Sequence, residues 1–175
     1  SVTITKVFKI MNVDILVINA LLDSFMKVLS NMAGMELKTG LHTDEPEQKK
    51  DTLARGDISG IMPLTSAELD GSVAISFSKP VIFDLVQRMV GSTVDDMDEI
   101  ETALDLAGEI TNMIVGGTKR IMSEEGFDID MATPRIISGE KHEIKHHTDG
   151  QTIIVPFDLE SGKVFLEINF DRNTV

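Results

Sequence analysis

The chain has 175 residues, 42% of them hydrophobic and 26% charged, the balance of a soluble globular protein with one core of ordinary size. It carries 29 acidic against 16 basic residues, a formal net charge of −13, which repels phosphate backbones and anionic lipid and makes nucleic acid and membrane poor candidate partners. It has no cysteine, so neither disulfides nor a thiolate metal site can support it.

No run of eighteen apolar residues occurs, so no membrane span is expected. Ser1 to Ile10 lacks the basic start and apolar centre of a secretory leader. These features favour the cytoplasm. The basic residues are scattered, the densest run being Lys49 and Lys50. With no local basic pocket in view, a protein partner suits the charge balance better than a small phosphorylated metabolite.

In chain order, Ser1 to Phe8 alternates (Val2, Ile4, Lys6, Phe8) and reads as a short strand or a lead-in. From Val13 to Met32 apolar residues recur at helical spacing, with Gly34 as the C-terminal cap. A polar, mobile loop follows, with Thr43-Asp-Glu-Pro46 and Gln48-Lys-Lys-Asp51. Asp57 to Leu64 and Ser72 to Phe77 read as a hairpin turning near Asp70-Gly71. Lys79-Pro80 opens a second helix that runs to about Val90, before Gly91. The longest helix is expected from about Met97 to Glu125, ending at Gly126. Strands Phe127 to Ile137, Gln151 to Pro156 and Lys163 to Phe170 complete the chain.

The sequence also echoes itself. Gly60-Ile-Met-Pro63 through Gly71-Ser-Val-Ala-Ile-Ser-Phe77 matches Ile153-Ile-Val-Pro156 through Gly162-Lys-Val-Phe-Leu-Glu-Ile168. A glycine-capped helix precedes each, at Gly34-Met-Glu-Leu37 and Gly126-Phe-Asp-Ile129. Element order and turn chemistry repeat together. The expectation is one domain over residues 1–175 with an internal pseudo-repeat, about 12–91 and 98–170. Its class is α+β, an antiparallel-rich sheet with long helices packed on it.

The helix at 97–125 is the informative segment. Ala103, Leu106, Ala107, Ile110, Met113, Ile114, Gly117 and Ile121 form one broad apolar face. Asp105, Glu109, Asn112 and Gly116, at steps of four, three and four, form a stripe on the other side, which should face solvent. Exposed helix faces are usually polar without further meaning. Asn and Gly are nevertheless poor choices there, each less favourable than alanine by roughly 0.5–1 kcal/mol, and Gly116 lets another surface come close.

The spacing Asp105-x3-Glu109-x2-Asn112, followed by Thr133-Pro134, resembles the CheC/CheX/FliY family of chemotaxis phosphatases. The spacer from Asn112 to Pro134 holds 21 residues, one fewer than that family's usual pattern. The resemblance runs on through Gly108-Glu-Ile-Thr-Asn-Met113, Asp130-Met-Ala-Thr-Pro-Arg-Ile-Ile-Ser-Gly139 and both hairpins, nearly the whole chain. The first-half helix, Asn19 to Val28, has no Glu-x-x-Asn pair, and one motif per chain resembles the CheX branch most closely.

The resemblance implies a phosphatase acting on the aspartyl phosphate of a CheY-like response-regulator receiver, which brings its own Mg²⁺ and lysine. No cofactor or metal of the chain's own is implied. Asn112 would hold the attacking water beside the phosphoryl group, since an amide both donates and accepts and stays neutral. Glu109 would pair with the receiver lysine, Asp105 would assist docking, and Gly116 would give clearance. For Pro134 the stronger reading is local: it biases Thr133 toward extended backbone. A homodimer is also implied. The competing reading is a non-catalytic adaptor that binds receivers or other signalling proteins through the same acidic helix.

His142, His146 and His147 lie close to Glu143 and could suggest a metal hydrolase. A polar strand and loop before Gly150 is the stronger reading, because a strand would hold His142 and His146 too far apart for one ion.

Overall fold

The computed structural model describes residues 2–33, 46–90 and 96–172, with side chains placed for 15–32, 46–89 and 99–171. Three helices, α1 (Val2–Ala33), α2 (Lys79–Val90) and α3 (Asp96–Glu124), pack on one face of a seven-stranded sheet. The strands are β1 (Glu47–Gln48), β2 (Ile58–Thr65), β3 (Leu69–Phe77), β4 (Asp130–Met131), β5 (Arg135–Ser138), β6 (Gln151–Leu159) and β7 (Gly162–Arg172). Their order is β1-β6-β7-β3-β2, with β4 and β5 both on the outer edge of β2, and every pairing is antiparallel. The expected α+β class is what the chain adopts.

Strand alternation builds the core. Ile58, Met62 and Leu64 of β2, Val73, Ile75 and Phe77 of β3, and Val164, Leu166 and Ile168 of β7 point to the helices and are buried. Against them pack Leu21, Phe25 and Leu29 of α1 and Ala107, Ile110 and Ile114 of α3. Phe25 stacks on Phe157 with ring centroids 4.2 Å apart. The two hairpins, β2–β3 and β6–β7, lie side by side through β3 and β7, and their prolines hold matching places: Pro63 opposite Ser72, Pro156 opposite Phe165.

Four sequence expectations change. Residues from Val2 onward continue α1 rather than forming a strand; a lone strand leaves its backbone unpaired, whereas a helix satisfies it within the segment. The first hairpin turns at Ser66–Glu68 instead of Asp70-Gly71. Ser66 Oγ accepts the backbone N–H of Glu68 at 3.2 Å and of Leu69 at 3.0 Å, a serine turn, while Asp70 and Gly71 sit in β3 opposite Thr65 and Leu64. The loop read as polar and mobile contains β1, paired with β6, and Lys49 is buried. Thr43 to Glu45, and the glycines Gly34 and Gly91, lie outside the described residues.

The fourth change lies at the sheet edge. The strand expected from Phe127 to Ile137 is two short strands separated by a bulge. Between the pairs Leu64↔Met131 and Ile61↔Arg135, β2 contributes Met62 and Pro63, while the edge contributes Ala132, Thr133 and Pro134. Neither proline can donate to a ladder, and the extra residue bends the edge away.

Ile15–Met32 of α1 is long enough and apolar enough, at mean hydropathy 1.4, to cross a membrane by length and composition. Here Val17, Ala20, Leu21, Phe25 and Leu29 are core residues, and an Asp23–Lys27 ion pair at 3.2 Å lies on its exposed side. The stripe of buried residues is that of a core helix.

The opposite sheet face is covered by residues 49–56 and 139–150, tied together by Ala54 N–H to His142 O (2.9 Å) and Ile144 N–H to Thr52 O (2.7 Å). Beneath them is a polar layer. Lys49 Nζ donates to Glu167 Oε1 at 2.8 Å, both side chains 1% exposed. His146 Nε2 reaches the same oxygen at 3.2 Å.

Candidate functional site

Helix α3 ends as its sequence predicts. Gly126 takes φ 84°, Phe127 N–H bonds to Met122 O at 2.9 Å, and Gly126 N–H bonds to Ser123 O at 3.0 Å. This is a Schellman cap, and Met122 and Phe127 are both buried beside it.

Four contacts fix the position of α3. Ser24 Oγ of α1 donates to Ile114 O at 2.6 Å, and Gly117 lets Ser24 approach. Gly60 of β2 lies against the side chain of Thr111, whose hydroxyl donates to Ala107 O at 2.7 Å. On the edge side, a Cβ at Gly108 would stand 3.4 Å from Ile136 Cδ1, and one at Gly116 would stand 3.9 Å from Met131 Cε. Gly108, Asn112 and Gly116 share a helix face at steps of four. The bulge from Ala132 to Pro134, bracketed by Met131 and Ile136, therefore runs beside the turn that carries Asn112.

Asp105, Glu109 and Asn112 are all exposed, as their spacing predicts, and Gly116 is half-buried against Met131. The stripe gathers two carboxylates, an amide and a gap on a rigid helix. Its carboxylates can pair with a cation on a partner, and its amide can donate and accept at once. The apolar face differs from expectation on both sides: Met113 is 41% exposed, next to Asn112, whereas Thr111, Val115 and Thr118 are buried. Thr111 and Thr118 can occupy the core because each hydroxyl bonds back to the carbonyl four residues earlier. The helical period alone did not resolve Met113, which lies at the border of the two faces.

The three histidines are not on a strand. His142 Nε2 is 2.7 Å from Ser59 Oγ, His146 Nδ1 is 2.8 Å from Ser72 Oγ, and His147 Nε2 lies 3.2 Å from Asp70 Oδ1. Among the described residues no group of three or more His, Asp or Glu side chains could hold a metal ion. One expectation is corrected here: Arg135, Lys145, His146 and His147 line a single cavity. A local basic pocket exists, assembled from β5 and the covering loop, which no run of basic residues announces.

The family described as chemotaxis phosphatase CheX matches residues 58–158, more than half of the chain, and the match includes α3 and the bulge. The chain belongs to the CheX family of chemotaxis phosphatases. The chemotaxis protein CheX of Vibrio vulnificus is 42% identical, with 89% of this chain and 99% of that chain covered at a TM-score of 0.76. The CheY-P phosphatase CheX of Thermotoga maritima is 27% identical over 159 residues, 90% of this chain and 94% of that protein. A CheX–CheY–BeF3–Mg²⁺ complex from Borrelia burgdorferi shares the fold at 24% identity and a TM-score of 0.71, with 87% and 96% of the chains covered.

Proposed function

We propose that the chain dephosphorylates the aspartyl phosphate of a CheY-like receiver in chemotaxis signalling, and that Glu109 and Asn112 act on it. The observation that carries this reading is the exposed acid–amide pair, held at the centre of a braced helix in a chain of the CheX family.

In this reading the receiver supplies Mg²⁺ and a lysine, which stabilise charge on the phosphoryl group, and the phosphatase supplies position. Asn112 accepts from a water and donates to a phosphoryl oxygen, holding the water in line. The water oxygen bonds to phosphorus as the bond to the aspartyl oxygen breaks. Inorganic phosphate leaves and the receiver carboxylate is restored. Glu109, one turn earlier, pairs with the receiver lysine and sets the docking angle. Asp105 extends that contact, and Gly116 leaves room for the partner as well as for Met131. A loose transition state asks for little early proton abstraction, so no general base is required.

The chain works in the cytoplasm as a homodimer and engages neither nucleic acid nor membrane. The formal charge of −13 supports the last point. The side-by-side hairpins with matching prolines support a duplicated origin, about 12–91 and 98–170.

The test is the decay of a phosphorylated cognate receiver with and without the protein and its Asn112→Ala variant. Accelerated decay that disappears in the variant is expected. Decay at the intrinsic rate with the unaltered protein would leave only the adaptor reading.

A further inference from the structure

The sheet face away from α3 carries a second concave site. Arg135 of β5, Thr133 of the bulge, Ser72 of β3 and the loop residues Lys145, His146 and His147 line a cavity of about 430 Å³. Its floor is apolar, formed by Ile61 and Pro63 of β2, and no carboxylate lines it. The acids that meet the lining histidines are engaged there: Asp70 lies 3.2 Å from His147, and Glu167 lies 2.8 Å from Lys49 and 3.2 Å from His146. Among the described residues neither Arg135 nor Lys145 has an ion-pair partner.

In a chain of net charge −13, two free cations and two imidazoles brought to one hollow form a local reversal of the surface field. A bound anion offsets the charge of the two cations. The wall is also held in place before any ligand arrives. Ser72 Oγ accepts the backbone N–H of His147 at 2.9 Å and lies 2.8 Å from His146 Nδ1, which pins the loop to the sheet. We propose that this cavity binds a small organic oxyanion, a phosphate monoester or a carboxylate attached to an apolar body. The guanidinium fork of Arg135 and the ammonium of Lys145 would grip the anion. Ile61 and Pro63 would meet the apolar part, and the volume is that of ordinary small-ligand sites, roughly 300–1,000 Å³. The site shares no lining residue with the Glu109–Asn112 stripe, although Thr133 belongs to the bulge that runs beside Asn112.

The test is titration of the full chain with phenyl phosphate, benzoate and phenol, followed through the ring signals of His146 and His147. Saturable shifts with at least one of the two anions, and none with phenol, are expected. Which anion binds tells phosphate from carboxylate. Both Arg135 and Lys145 are exposed, so an Arg135→Gln/Lys145→Gln double variant should keep its fold, which its circular dichroism checks. Affinity should fall about tenfold or more in it, the scale of a lost charge-assisted bond, and stay unchanged in Glu109→Ala. Absence of saturation by either anion at millimolar concentration overturns the proposal. So does undiminished binding by the folded double variant.

Discussion

Gly60 on β2 and Thr111 on α3 meet so closely that a Cβ on the glycine would overlap Thr111 Oγ1 and stand 3.0 Å from Thr111 Cβ. Thr111 is fixed by its bond to Ala107 O and immediately precedes Asn112. This contact therefore sets how far α3 stands off the sheet, and with it the height at which the Asn112 amide is presented.

Replacing Gly60 with alanine should push the two elements apart. Overpacking of this kind destabilises by about 1–3 kcal/mol, a loss of several degrees in Tm for a chain of this size. Adding Thr111→Ala removes the clashing hydroxyl and should recover part of it, since the two residues are in contact. Thermal unfolding of the single and double variants checks this; additive losses would show that the contact is no brace.

Asn112→Ala should lower the rate of receiver dephosphorylation by about a hundredfold or more, the usual cost of losing one preorganised polar group at a reacting centre. Its binding to a beryllofluoride-activated receiver should stay within a few-fold of the parent. Fluorescence anisotropy alongside the decay assay separates the two effects.

Glu109→Gln should show the contrary pattern. With the charge gone but the shape kept, the pairing with the receiver lysine weakens, and KM rises about tenfold while kcat changes less. A fall confined to kcat would assign Glu109 to the chemistry instead of to docking.

Lys49→Met leaves Glu167 buried with only His146 beside it. Removing one member of a buried pair costs about 3–5 kcal/mol, which chemical denaturation would register as a lower midpoint with an unchanged slope. Lys49→Met combined with Glu167→Leu should recover much of the loss, because no buried charge is then left uncompensated.

Asp51 gives a pH signature. The hydrogen bond from Arg55, assisted by the backbone N–H of Leu53, lowers its carboxyl from the ordinary 3.8 to about 2. The folded form thus favours the carboxylate, a contribution complete above 3.8 and lost as pH falls through about 2. The Asp51 carboxyl resonance should titrate near 2 in the parent and return toward its ordinary range in Arg55→Ala.

The parts legible in the sequence were those with local causes. The period of α3, its glycine stop and the exposure of Asp105, Glu109 and Asn112 depend on neighbours a turn away, and all three hold. Most of the misread parts depend on distant ones, the first hairpin turn excepted. Lys49 is buried because Glu167 meets it from β7. The basic cavity needs β5, β3 and the 145–147 loop together. The first hairpin turns at Ser66 because its hydroxyl captures two backbone donors, a contact weaker as a signal than the Asp-Gly pair beside it. The bulge at Ala132–Pro134 answers a second proline, Pro63, across the ladder.

The placing of Asn112 at mid-helix, with sheet, α1 and edge strands all set against the turns around it, has a kinetic consequence. Among the described residues nothing covers the amide, which is already exposed on the helix. The entropy of ordering the phosphatase side is spent during folding, so little remains to be lost at each encounter. In the role proposed for Asn112, the encounter of the two proteins is itself what brings the amide to the phosphoryl group.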